Sequence, residues 1–160
     1  MKSSPYSHRM QRIDDVDHNE IDIEDEFDGL RYLKASGLND IGASKNIYIE
    51  EYADSDRKRV YIPPDGNYAN EGTKVKMTFI VIGTQTQRQE TLSNFLDYIR
   101  KGVHRYWDTA RNREFDFVVT DEINVSEEKW HGDTPYIEFD VTMQNLNGKT
   151  RRHSATRITT

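Results

Sequence analysis

The side chains able to do chemistry near neutral pH are few and scattered. Five histidines, His8, His18, His104, His131 and His153, have no two at metal-ligand spacing, and the absence of cysteine removes thiolate sites and disulfides. Asp116, Glu138 and Asp140 are the nearest approach to a carboxylate pair that could do acid–base work or hold a divalent ion for hydrolysis. All three occupy the polar half of alternating stretches, where an amphipathic strand keeps its solvated residues, so a surface role is favoured. His131 in the sequence Trp130-His131-Gly132-Asp133, between Trp130 and Asp133, is the best single site candidate, although a surface loop is strongly favoured. Tyr106-Trp107, followed by Asp108, has the composition of a stacking platform, but an aromatic pair at a strand end more often packs in a core. The acidic run at 14–28 lacks the central glycine and terminal glutamate of a calcium loop. There is no Walker loop, GxGxxG, HExxH or nucleophile elbow. The residues therefore favour a non-enzymatic protein without cofactor or metal.

The elements that would position these residues centre on 73–106. Val75, Met77, Phe79 and Val81 recur with period two, and the other face turns apolar at Ile80 and Ile82, so a strand buried on both faces at its end is expected. Gly83 breaks it. Leu92, Phe95, Leu96 and Ile99 then fall at i, i+3, i+4 and i+7, which predicts an amphipathic helix over about 87–101. Thr86 and Gln89 fit a capping box, and Gly102 is the expected stop.

Before this unit, 46–52 and 58–62 read as a hairpin closed by Pro63-Pro64-Asp65-Gly66 and followed by a contact-type loop containing Tyr68. Residues 1–45 read as an acidic N-terminal arm. Its run at 14–28 is either solvated or, through Ile21, Ile23 and Phe27, docked as an extra strand on a neighbour. After the helix, 103–108, 114–119 and 136–146 alternate as strands. The second is extendable through Ile123 and Val125, and 126–134 reads as a loop. Residues 149–160 form a basic tail that includes Arg151 and Arg152. The predicted domain is 46–148. The class is mainly β with some α: an antiparallel β-sandwich or split barrel, one flanking helix and extended terminal arms.

Only 34% of the 160 residues are hydrophobic and 31% are charged, so either part of the chain lies outside the core or partners complete the burial. A net charge of −6 argues against a general nucleic-acid binder. No apolar run approaches the roughly 20 residues that span a bilayer, and no secretion signal is visible, so a soluble protein made in a cytosol is expected.

The order KNIYIEEYADSDRKRVYIPPDG, VKMTFIVIG, helix, HRYWDTARNREFDFVV and PYIEFDVTMQNLNGK resembles small structural proteins of tailed bacteriophages and prophages, most closely the tail-tube and distal-tail group. The resemblance covers about 46–149. It implies a β-sandwich with one helix, assembly as a homo-oligomeric ring (usually a hexamer), and contacts with other tail or neck proteins. It also implies transient, non-specific passage of DNA, no membrane, and a place in the virion tail after assembly in the bacterial cytoplasm. In that setting Ile21, Ile23, Phe27, Pro63, Pro64, Tyr68, Trp107, Trp130, Arg151 and Arg152 are the interface candidates. Asp116, Glu138 and Asp140 are the lumen-facing ones, where negative charge would let DNA slide. Tail-completion and neck (head–tail connector) proteins share this size and make-up. Two readings outside the family are a monomeric binding module using Tyr106-Trp107 and Trp130–Asp133, and a metal-dependent hydrolase using the three carboxylates.

Overall fold

The computed structural model describes residues 7–14, 19–38, 48–50, 59–61, 72–147 and 150–152. Its centre is strand β6 (Thr73–Ile82) running into helix α2 (Gln85–Ile99). Val75, Met77, Phe79 and Val81 are fully buried, as their period requires. Ile80 and Ile82 are only half-buried, so the strand's end is covered on one face rather than both.

The helix starts two residues before the expected position. Gly83, at φ +119°, turns the chain at once, and Thr84 rather than Thr86 becomes the cap. The Gln87 amide donates to Thr84 Oγ1 at 3.2 Å, and the Thr84 amide donates to Gln87 Oε1 at 3.1 Å. Thr-Gln-Thr-Gln offers two capping frames, and the turn at Gly83 selects the earlier one. Gly102, at φ +72°, follows the helix end as expected.

Strand β10 (Thr134–Asn145) pairs antiparallel with β6 over ten residue pairs, from Tyr136↔Ile82 to Asn145↔Thr73. Its Ile137, Phe139, Val141 and Met143 face the core. Phe95 of the helix lies over this pair, with ring centroids 5.2 Å from Phe79 and 5.9 Å from Phe139. Strands β7 (His104–Asp108) and β8 (Arg113–Val118) form the hairpin expected after the helix. The extension of β8 does not occur: it stops at Val118, and Val125 instead bridges to Phe139 of β10.

The described part of the N-terminal region, 7–14 and 19–38, is not an arm. Strand β1 (His8–Arg12) pairs with β7 along its whole length, β2 (Ile21–Asp22) pairs with β1, and β3 (Leu30–Ser36) pairs with β6. Between β2 and β3, α1 (Ile23–Glu26) is one turn capped by Asp22. Met10, Ile23 and Leu30 are fully buried. The acids of 20–28 hid this: Asp22 caps the turn, Glu24 is buried and accepts from the Tyr32 amide, and Asp25 and Glu26 take the exposed side, whereas Ile23 and Phe27, at i and i+4, pack together on the core. The basic end is also partly built in, with β11 (Arg151–Arg152) pairing with β8. Strands β4 (Tyr48–Glu50) and β5 (Arg59–Tyr61) form the predicted hairpin and, among the described residues, pair only with each other. The 126–134 segment is not simply a loop: β9 (Lys129–His131) pairs with the start of β10.

The main sheet runs β2-β1-β7-β8-β10-β6-β3, with β11 added on β8 and β9 on β10, and every pairing is antiparallel. β8 meets β10 only at Gln144↔Val118 and Asn145↔Phe117, so the sheet turns a corner there. The two halves face each other closely enough for His8 of β1 to stack on Tyr32 of β3, centroids 3.9 Å apart. The result is the expected mainly antiparallel β architecture with one principal flanking helix, open between β1 and β3.

Phe95→Ala should cost about 3–5 kcal/mol, the usual loss for a buried Phe, read from urea unfolding. Phe95→Asp should leave no cooperative transition, because it puts an unpaired charge among Phe27, Phe79 and Phe139.

Candidate assembly surfaces

The structure does not gather the three carboxylates into one site, and each has its own polar partner. Asp116, on β8, accepts from Arg105 Nε at 2.7 Å and from Arg151 Nη2 at 3.1 Å. Burial opposes its ionisation, but the two guanidiniums hold its carboxyl below the usual range. Asp140 accepts from Thr78 Oγ1 at 2.6 Å and pairs with Lys76 at 3.3 Å, which also lowers its pKa. Glu138 pairs with Lys129 at 3.1 Å. These positions therefore make a charge-compensated face rather than a negative wall. Among the described residues, no group of three or more His, Asp or Glu is placed to hold a metal.

Glu138 and Asp140 lie between two shallow depressions of about 270 Å³ each. One lies toward Lys34 and Lys76, the other toward Val125 and Lys129. Both fall below the range of about 300–1,000 Å³ typical of small-molecule clefts.

The aromatic site of the binding-module reading is not assembled. Tyr106 is buried in the core, and its hydroxyl is hydrogen-bonded to His8 Nδ1 at 2.7 Å. Trp107, half-buried on the opposite face of β7, lies across from Glu114 and Arg9. Trp130 lies across from Pro135, with β8 and most of the length of β10 between it and Trp107.

The interface candidates divide. Ile23 is core, and Ile21 and Phe27 pack against the core, Phe27 edge-on to Phe95 at 5.2 Å, so they hold α1 down rather than face a neighbour. Arg151 is also occupied internally. Its Nε donates to Glu114 Oε1 at 3.0 Å, and Glu114 is fully buried. Arg152 is exposed, and Trp130, at 62% exposure, projects from the sheet. Pro63, Pro64 and Tyr68 lie outside the described residues.

Sequence reasoning missed three features. The first is the Glu114–Arg151 clamp, whose partners are far apart in the chain. The second is the buried polar seam of His8, Tyr106 and Asp108. The third is Leu33, half-exposed at the point where the β3–β6 register shifts. A polar residue in a strand pattern carries no mark of burial, so the first two had no sequence signal beyond a histidine or glutamate at an inward-facing position, and the exposure of Leu33 depends on β3 lying at the end of the strand order.

His8 and His104 both titrate below their ordinary range because burial disfavours the imidazolium. For His8, Asp108, Glu24 and Asp22 oppose that shift without cancelling it.

No model of a known protein family matches the chain, and no curated protein matches it. Solved structures do share the fold. A chain of the phage p2 baseplate in its activated conformation with Sr superposes with a TM-score of 0.59 at 11% identity, covering 89% of this chain and 45% of that chain. In the activated conformation with Ca the TM-score is 0.53 at the same identity and coverages. The fold is shared with phage baseplate chains. This chain spans less than half the length of the chains it matches, and at 11% identity the likeness is one of fold.

Arg151→Ala should cost about 1–3 kcal/mol in urea unfolding, because it removes a charge-assisted donor from the buried Glu114 and from Asp116. Adding Glu114→Gln should recover part of the loss. For the histidines, a lowered folded pKa means the folded state binds fewer protons than the unfolded chain, so stability rises with pH and is lost as pH falls below the ordinary value of 6.5. The urea midpoint should therefore drop between about pH 7.5 and pH 5. His8→Phe, which can keep the stack on Tyr32, should flatten that dependence. Asp116 and Asp140 act in a separate window, below their ordinary 3.8.

Proposed function

We propose that this chain is a non-enzymatic structural subunit of a bacteriophage tail or tail-like particle, placed in its distal-tail or baseplate region and assembling as a ring. The observation that carries this reading is the fold likeness to phage p2 baseplate chains over 89% of the chain. Two features of the structure support it. The β4–β5 hairpin pairs with no other described strand, as expected of a segment used outside the domain. The main sheet also ends in edges that no other described strand pairs with, which a ring can satisfy with copies of the same chain.

In this reading the ring, expected to be a hexamer, stacks with other tail proteins and lets DNA pass during ejection. The net charge of −6 suits a conduit that does not retain phosphate. Asp116, Glu138 and Asp140 are weak contributors to that effect, since each already has a cationic partner. Interface use falls to Trp130, Arg152 and, outside the described residues, Pro63, Pro64 and Tyr68. Trp107 stands behind them because it is half-buried.

Solution mass and negative-stain images of the purified protein, alone and mixed with tail proteins of the same particle, test the reading. Rings, with six-fold averages for the hexamer, are expected. A protein that stays monomeric across concentration and binds none of those partners overturns it.

A further inference from the structure

We propose that successive copies join head to tail, the Trp130 hairpin of one copy seating against the β3 edge around Leu33 of the next. This rests on the reading of the chain as a self-assembling subunit and names the two surfaces that meet.

The donor surface is the β9–β10 hairpin. Its turn is Gly132-Asp133, and a Cβ built on Gly132, at φ +60°, meets nothing within 4 Å, so the tip stands in open space. Trp130 is the most exposed large apolar side chain among the described residues. Lys129 and His131 adjoin it in β9, with Lys129 already paired to Glu138, while Glu127 and Asp133, three residues away on either side, are exposed and without an ion pair among the described residues. The base of the hairpin is held rigidly. Glu128 pairs with the buried Arg88 at 2.9 Å, Lys129 pairs with Glu138 at 3.1 Å, and the Ser126 amide donates to the Glu138 carbonyl at 2.8 Å. An aromatic side chain on an anchored support loses little freedom on docking, which is what makes a strong interface anchor.

The acceptor surface lies at the other end of the same run of strands, β9-β10-β6-β3. The first part of the β3 edge is covered, since the Tyr32 amide donates to Glu24. Beyond it Leu33 is 50% exposed, at the register shift between Tyr32 and Lys34. Arg31 and Lys34 flank it: Arg31 donates to the Leu30 carbonyl at 2.7 Å and Lys34 helps hold the Asp140 carboxyl low, but neither is within salt-bridge distance of a described carboxylate. The depression beside Lys34 and Lys76 opens next to this edge.

Each surface is an apolar centre with a charged rim, and the rims are opposite in sign. Two Trp130 hairpins brought together would face acid to acid, and two Leu33 edges would face base to base. A two-fold contact is therefore disfavoured and a heterologous one favoured. The complementary surface for the hairpin is on this chain, which is why the occupant is a second copy. Because the two surfaces lie at opposite edges, each copy can receive one neighbour and offer itself to another.

The chain has no cysteine, so cross-linking is clean. Both rims are exposed, and Lys34→Cys and Asp133→Cys, which keep Leu33 and Trp130, should leave the thermal midpoint unchanged. Under a copper–phenanthroline oxidant, a one-to-one mixture should cross-link to a dimer that neither variant gives alone. Lys34→Glu should weaken self-association about tenfold by sedimentation, and Asp133→Lys on the same chain should restore it. Cross-links within a single variant would show a two-fold contact and overturn the proposal. Rings without the mixed cross-link would also overturn it while leaving the tail reading intact. A protein monomeric at every concentration overturns it as well, and the tail reading then depends on binding to tail proteins.

Discussion

The long antiparallel pairing of β6 with β10 is the constraint that the rest of the structure depends on. It sets Phe79 opposite Phe139, with ring centroids 5.6 Å apart, and so creates the apolar floor on which Phe95 sits. A slip of β10 by one residue against β6 would send its Phe139 and Val141 to the solvent face and bring Glu138 and Asp140 inward against Phe79 and Val81. The helix would then lose half of the apolar floor it covers. Phe27, which reaches Phe95 from just beyond α1, would lose its partner too, and with it the reason for the first turn to fold onto the domain.

Around that floor, charge is used mainly for closure. Arg151 ties the last described strand to Glu114 and Asp116, and Arg88 ties the helix start to the base of the β9–β10 hairpin. His8, Tyr106 and Tyr32 join β1 to β3 where no backbone ladder does. Such contacts replace the hydrogen bonds of a closed barrel with side-chain stacking and buried polar pairs, which are more sensitive to protonation and to loss of a partner. A polar chain can therefore close its core and still leave strand edges that no other described strand pairs with.

Paired carboxylates are a poor guide to function in a sheet protein of this kind. Asp116, Glu138 and Asp140 share a sequence texture, yet one lies in a guanidinium clamp and the other two are neutralised by neighbouring lysines. What the fold leaves exposed is a better guide, namely Trp130 and Leu33, each beside charges outside salt-bridge distance of a described partner.

The amino-acid sequence by itself determined the elements with strong local periodicity. β6, β10, the β7–β8 hairpin and the helical stripe at Phe95 and Ile99 are legible because alternation and the 3.6-residue repeat record which face is apolar. The mainly antiparallel class with one flanking helix follows from their order, as does the β4–β5 hairpin. Tertiary structure alone decided the rest. β1 has one apolar residue facing inward, Met10, and becomes a strand only because the free edge of β7 binds it. Thr84 caps the helix because of where Gly83 turns. Glu114 and Arg151 meet across 37 positions of chain, a separation over which local pattern carries no information. The same holds for candidate surfaces. The exposure of Trp130 and Leu33 depends on which strands end the sheet, and strand order is a property of the packed molecule.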